Sequence, residues 1–334
     1  MLTDLYQEKN MAQFKKGKFI NTEFNNDGSI VLKQGFTYGE YISIPVAAKF
    51  KFNEAIISWN CKTSPDTGIA VYLRAGEQKR WTSWYLMGQW GYTAVKNYDE
   101  KIKKDTLGKV NDDTLLLKNK ENMFQYRILF FSKDKKESPQ VKMISVCYSD
   151  IKTNKKVSIK KAKDFSRIIE VPYRSQKVEK DNISGKICGP TSLSMIMEYY
   201  KINLPTEKTA YACYDKPNDI YGNWPYLVAY ASENNLTGWV QYFTSLEQLK
   251  EEISKGYPVI VGIAFGEGQL TGSPVPSSPG HLLVVRGFDK NGNVYVNDPA
   301  FKTREKGVRG YKRDEFTKAW LKQGLGVVLL FREQ

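Results

Sequence analysis

The chain has 334 residues, 41% hydrophobic and 26% charged, with a formal net charge of +14. That length points to two domains, and the composition is that of a globular protein. No run approaches the roughly 20 apolar residues that span a bilayer, and the polar stretch 1–14 lacks the apolar core of a secretory leader. One histidine and four cysteines (Cys61, Cys147, Cys188, Cys213), none in a CxxC pair, leave a zinc site short of ligands, so no metal or cofactor is expected. The expected location is the cytoplasm if the chain is complete, and outside the cell or on its surface if a leader has been removed.

The charge is uneven. Residues 1–165 carry 29 basic and 18 acidic side chains, a net +11, whereas residues 166–334 carry 21 and 18, a net +3. Much of the excess sits in Lys152, Lys155, Lys156, Lys160, Lys161 and Lys163. Such a field attracts anionic surfaces, among them cell-wall polymers, acidic lipid and nucleic acid. It equally suits a solvated linker, and no zinc finger, Walker loop or aromatic nucleic-acid motif accompanies it.

In chain order, residues 16–150 predict an all-β domain. Short apolar or alternating runs recur at Ser29–Leu32, Tyr41–Val46, Ala55–Trp59, Ile69–Leu73, Trp84–Trp90, Thr114–Leu117, Phe124–Phe131 and Val141–Tyr148. Asn-Asp-Gly and Ser-Pro-Asp-Thr-Gly turns separate them. About eight strands without a helix predict a jelly-roll-like β-sandwich over residues 1–150. Its tryptophans, Trp59, Trp81, Trp84 and Trp90, suit either core packing or stacking on sugar rings. Cys61 and Cys147 fall in strand-like runs, either as a disulfide or as two small buried side chains.

Residues 151–165 read as a basic linker, and the pattern changes beyond Phe165. Helices are predicted at 188–201, with Pro190 in the first turn, at 224–235 and at 246–255, with Ser245 as N-cap and Gly256 past the end. Strands follow at 259–264, 282–288, 294–297 and 326–331. Helices followed by an antiparallel strand set predict an α+β domain over 166–334.

That domain carries a chemical constellation. His281, the only histidine, opens the apolar run Leu282-Leu283-Val284-Val285 after a Gly- and Pro-containing loop. Its side chain suits proton transfer near neutral pH. Cys188 begins a helix, where the macrodipole and unpaired N–H groups favour a thiolate, and Gly189 allows a carbonyl to approach. Asp298 ends a strand that a hairpin through 289–292 returns beside His281, where a carboxylate would orient the imidazole. Gln176, twelve residues before Cys188, supplies an amide that can donate to an oxyanion. Tyr221, Trp224 and the 266–280 loop are candidate cleft walls.

These segments resemble the bacteriocin-processing-peptidase-like cysteine peptidases. The resemblance rests on Val171-Pro172-Tyr173-Arg174-Ser175-Gln176, Cys188-Gly189-Pro190-Thr191-Ser192, Gly280-His281-Leu282-Leu283-Val284-Val285-Arg286-Gly287-Phe288-Asp289 and Asn297-Asp298-Pro299. It covers roughly residues 168–332 and implies a papain-like fold. Cys188 would be the nucleophile, His281 the base, Asp298 the orienting residue and Gln176 the oxyanion donor. Classical members cut leader peptides after a double glycine and are fused to transporters. No transporter is present here, so that substrate does not carry over. The first half is similar, less specifically, to an accessory β-domain of secreted members, most clearly across Trp81–Trp90. The expected activity is thiol-dependent hydrolysis of a peptide. The alternatives are peptidoglycan amide hydrolysis or transpeptidation by the same residues, and a peptide- or glycan-binding protein on a peptidase scaffold.

Overall fold

The computed structural model describes residues 1–77, 80–91, 103–153, 165–179 and 181–334. The chain divides into two compact units, Met1–Lys155 and Lys156–Gln334. Most of the expected basic linker lies outside the described residues.

Among its described residues the first unit is all-β apart from one short helical turn, Met11–Phe14. Two expected runs, 114–117 and 124–131, are parts of one strand, Thr114–Ser132. Its exposed centre, Lys118, Asn119 and Lys120, breaks the apolar alternation but not the strand. Register shifts between Leu116 and Met123 bend it, so that it pairs first with Val46–Lys62 and then with both Thr67–Glu77 and Tyr38–Ile42. The unit's twelve described strands consequently form one hydrogen-bonded network rather than two separate sheets. Strand Leu2–Glu8, where no element was expected, pairs antiparallel with Gln140–Asp150.

Buried Trp59, Phe52, Phe124, Tyr72 and Tyr126 fill this unit's core. Trp90 joins the core, whereas half-buried Trp81 and Trp84 flank the Arg74 guanidinium at 4.6 and 4.4 Å from their ring centres. No disulfide forms among the described cysteines, and both Cys61 and Cys147 are buried.

The second unit is α+β. Its antiparallel sheet runs in the order Leu236–Tyr242, Val327–Glu333, Val259–Phe265, Ser278–Phe288, Val294–Asn297 and Val308–Tyr311. The central strand Val259–Phe265 is buried almost throughout, whereas the edge strand Leu236–Tyr242 alternates between buried and half-buried positions. Helix Cys188–Tyr199 packs on strand Ser278–Phe288, and helix Trp224–Glu233 on the edge strand.

Helix Trp224–Glu233 starts with Asn223, whose side chain accepts from Tyr226 N–H at 3.2 Å, and has Pro225 in its first turn. Ser245 stands at the predicted start of helix Leu246–Ser254 but makes no side-chain cap bond. Instead Gln248 Oε1 reaches back to accept from Thr244 N–H at 2.8 Å. No described helix is long and apolar enough to cross a membrane.

Candidate active site

The sheet brings together two side chains seventeen residues apart. Strand Ser278–Phe288 turns through a hairpin in which Asp289 accepts from the backbone N–H groups of Asn291 and Asn293, at 2.9 and 2.8 Å. Gly292 takes the left-handed conformation (φ 78°) that closes the turn. The returning strand pairs Asn297 with Val284 and Val296 with Val285. Asp298 thereby arrives beside His281, and Asp298 Oδ1 lies 2.8 Å from His281 Nε2.

The carboxylate is fixed from several sides. Ala300 N–H donates to Oδ1 at 3.0 Å, Tyr311 O–H donates to Oδ2 at 2.8 Å, and Asp298 is 1% exposed. Tyr173 O–H strengthens the same turn by donating to the carbonyls of Asp298 and Phe301, at 3.1 and 2.6 Å. Asn297 Nδ2 donates to Val171 O at 3.0 Å. The segments 171–176 and 297–301, separate in sequence, are thus one strapped support.

Cys188 is the first residue of helix Cys188–Tyr199, and Ser192 O–H ties the helix to strand Ser278–Phe288 through Leu282 O at 3.2 Å. Cys188 and His281 line the same cavity, close enough for each side chain to shift the other's pKa. Since Nε2 faces Asp298, Nδ1 is left for the sulfur. Burial raises the thiol pKa, but the adjacent imidazole and its charge, with the N–H groups of Leu282 and Gly189, outweigh it and hold the thiol below its ordinary value. Burial likewise works against the imidazolium, yet Asp298 and then Cys188 hold the His281 pKa up at about 10. Asp298, which burial alone would raise, is kept low by His281, Ala300 N–H and Tyr311. All three directions favour a thiolate, an imidazolium and a carboxylate in a row.

Gln176 is buried near this support, its backbone N–H donating to Pro299 O at 2.9 Å. Its side-chain Nε2 donates to Ser184 O at 2.7 Å, and among the described residues no hydrogen bond joins it to Cys188, His281 or Asp298. One amide N–H is left over. No sequence signal points to Tyr311: it lies thirteen residues beyond Asp298, in a four-residue strand whose register alone carries it to the carboxylate.

A cavity of about 570 Å³ opens beside Cys188 and His281, with Tyr221 and Trp224 in its wall as expected. Of the 266–280 loop only Pro279 and Gly280 line it. Gly189 does not. A Cβ there would sit 3.0 Å from Leu282 Cδ1 and 3.2 Å from Leu227 Cδ1, so this glycine serves the contact of its helix with the sheet. No group of metal-ligating side chains occurs among the described residues.

A helix-borne thiol facing a strand-borne imidazole and carboxylate is the side-chain set of cysteine peptidases. Comparison with known families narrows that class. The Peptidase_C39 like family matches residues 168–326, and the Peptidase C39 N-terminal domain matches residues 8–149. The chain belongs to the C39-like peptidases.

Among solved structures, the chain is similar to a C39-like peptidase from Bacillus anthracis, at 21% identity and a TM-score of 0.39, over 51% of this chain and 100% of that one. It is also similar to a double glycine motif protease from an AMS/PCAT transporter in complex with the leader peptide. That match has 22% identity and a TM-score of 0.33, over 50% of this chain and 94% of that one. A family two carbohydrate esterase from Cellvibrio japonicus matches at 10% identity and a TM-score of 0.23, over 44% of this chain and 35% of that one. No curated protein matches the chain.

Proposed function

We propose that this protein is a papain-like cysteine peptidase that hydrolyses peptide bonds through Cys188, His281 and Asp298. The observation that carries the reading is His281, the sole histidine, bonded through Nε2 to the buried Asp298 carboxylate and lining one cavity with the helix-start thiol of Cys188. In this mechanism the Cys188 thiolate attacks the scissile carbonyl. The oxyanion that forms is held by the backbone N–H of Cys188 and by the remaining N–H of the Gln176 amide, which Ser184 O orients. A donor so aimed contributes about 3 kcal/mol. The imidazolium of His281 then protonates the leaving amine. Water activated by the neutral imidazole resolves the acyl-enzyme, while Asp298 keeps the ring turned toward the sulfur.

In this reading residues 1–150 form a jelly-roll-like accessory domain, 151–165 a basic linker and 166–334 the peptidase domain. The test is Cys188→Ala in the full chain. The lost thiol is small and sits at a helix start, so the fold should survive and turnover of a peptide mixture should vanish. Undiminished cleavage by a purified, folded Cys188→Ala protein contradicts the assignment.

A further inference from the structure

The cavity beside the thiol has the character of a side-chain pocket. Its volume of about 570 Å³ lies within the about 300–1,000 Å³ typical of sites that engulf a ligand group. Tyr221, Trp224, Ile263, Leu282, Leu325 and Val327 give it apolar walls. Apart from the Cys188–His281 pair, its charged residues, Lys186 and Asp219, are exposed and lie 3.8 Å apart, so they offset each other. A charged substrate side chain would lose its water there without gaining a partner.

Two glycines leave open space at its wall. A Cβ added at Gly222 or at Gly280 meets no heavy atom within 4 Å, and both residues line the cavity. Two neighbours have a different reason for being glycine. A Cβ at Gly262 would sit 2.4 Å from Val327 Cγ1, and one at Gly324 would sit 2.2 Å from Gly262 O. Gly262 and Gly324 are therefore demanded by packing. At Gly222 and Gly280 nothing in the fold forbids a side chain, and neither has the left-handed conformation that would require glycine.

We infer that this site selects peptides with a large aliphatic or aromatic side chain within two residues of the scissile bond, and that this side chain fills the cavity between Tyr221, Trp224, Ile263 and Leu325. The inference rests on the peptidase reading above. A substrate with glycines on both sides of the bond would leave the pocket vacant and forgo its binding energy. One methylene in such a pocket is worth about 10-fold or more in kcat/KM, so Leu or Phe should exceed Gly by about 100-fold.

The experiment digests a diverse peptide mixture with the full-length protein and locates the cuts by mass spectrometry, with Cys188→Ala as the blank. Cuts should be enriched for Leu, Ile, Met, Phe or Tyr within two residues of the bond. Gly222→Val and, independently, Gly280→Val add methyl groups at the cavity's wall. Each should lower the ratio of large-residue to small-residue cuts by about tenfold or more. Circular dichroism identifies a variant that has not folded, and the native cut profile decides the question without either. Cuts flanked mainly by glycine, alanine or charged residues overturn the inference and leave the peptidase reading standing. So does an unchanged ratio in a folded variant. If no peptide is cut at all, the peptidase reading fails and this inference goes with it.

Discussion

Replacing Asp298 by asparagine should remove a charge from the site while leaving its geometry in place. Oδ1 faces both His281 Nε2 and the Ala300 N–H, whereas Oδ2 accepts from the Tyr311 hydroxyl. An asparagine with its NH₂ at the Oδ1 position would set donor against donor at Ala300. The amide oxygen therefore takes that place, and the NH₂ donates to Tyr311, whose hydroxyl can turn. His281 keeps its partner and its tautomer, and the carboxylate's charge is what disappears. A hydrogen bond to a charged group is worth about 1.5–3 kcal/mol and a neutral one about 0.5–1.5 kcal/mol, so roughly 1–1.5 kcal/mol of imidazolium stabilisation is lost. At about 1.36 kcal/mol per unit, the His281 pKa should fall by about one unit from its raised position. The alkaline limb of kcat/KM moves down with it by about one pH unit, whereas the rate at neutral pH, where the ring stays protonated, changes little.

Asp298→Ala removes the orienting bond as well. It should cost about 10⁴-fold, as when a triad imidazole is left in the wrong tautomer. The assay is kcat/KM on one peptide from pH 5 to the alkaline limit of folding, for all three proteins. Two results refute the reasoning: an asparagine variant as inactive as the alanine one, or an alkaline limb that does not move.

The native profile should itself be bell-shaped. Its acid limb comes from protonation of a thiolate whose pKa is lowered, and its alkaline limb from loss of the raised His281 proton; a flat profile contradicts a coupled pair. Tyr311→Phe strips a donor from a buried carboxylate and should cost about 1.5–3 kcal/mol in urea unfolding, with little expected if the contact is incidental. Asp298 has a depressed pKa, so its stabilisation is full above the ordinary value of 3.8 and fades as pH falls through the lower folded value. Asp298→Asn should therefore narrow the stability gap between neutral and strongly acid solution, and an unchanged gap counts against it. In the first unit, Glu8 is 2% exposed and accepts from Tyr6, Tyr41 and Tyr126. Glu8→Ala leaves buried hydroxyls behind and should cost about 3 kcal/mol, and a loss under about 1 kcal/mol contradicts that view. A fragment of residues 156–334 holds every proposed catalytic side chain and should cleave short peptides; if folded but inert, the first unit helps to build the site.

The site was largely legible because its residues announce themselves locally. The lone histidine before an apolar strand, the Cys-Gly-Pro helix entry and the Asp-Lys-Asn-Gly hairpin each have a short-range signature. Together they brought His281 and Asp298 to 2.8 Å in the folded chain. What stayed hidden depends on register and on the direction of single bonds. Tyr311 reaches Asp298 only because Val294 pairs with Tyr311 across two short strands. Gln176 points an N–H at Ser184 O, which its distance in sequence from Cys188 does not encode. In the first unit the strand Thr114–Ser132 passes through three exposed polar residues, which make its sequence read as two runs. Leu2–Glu8 was missed because six of its seven residues are half-buried, which leaves no clean alternation. The joining of all twelve strands follows from the bends in Thr114–Ser132, and bulges have no strong sequence signal.

The proposed mechanism depends on the charge state of one imidazole, and the chain contains one histidine. A nuclear magnetic resonance titration of the His281 ring carbons in uniformly labelled protein reads that state without assignment ambiguity. A thiolate–imidazolium pair should show an imidazolium at neutral pH that loses its proton only near pH 10, and a clear fall in that pKa in Cys188→Ala, where the thiolate is gone. A ring that titrates near its ordinary value of 6.5 and does not respond to Cys188→Ala contradicts the thiolate–imidazolium pair on which the proposed mechanism depends.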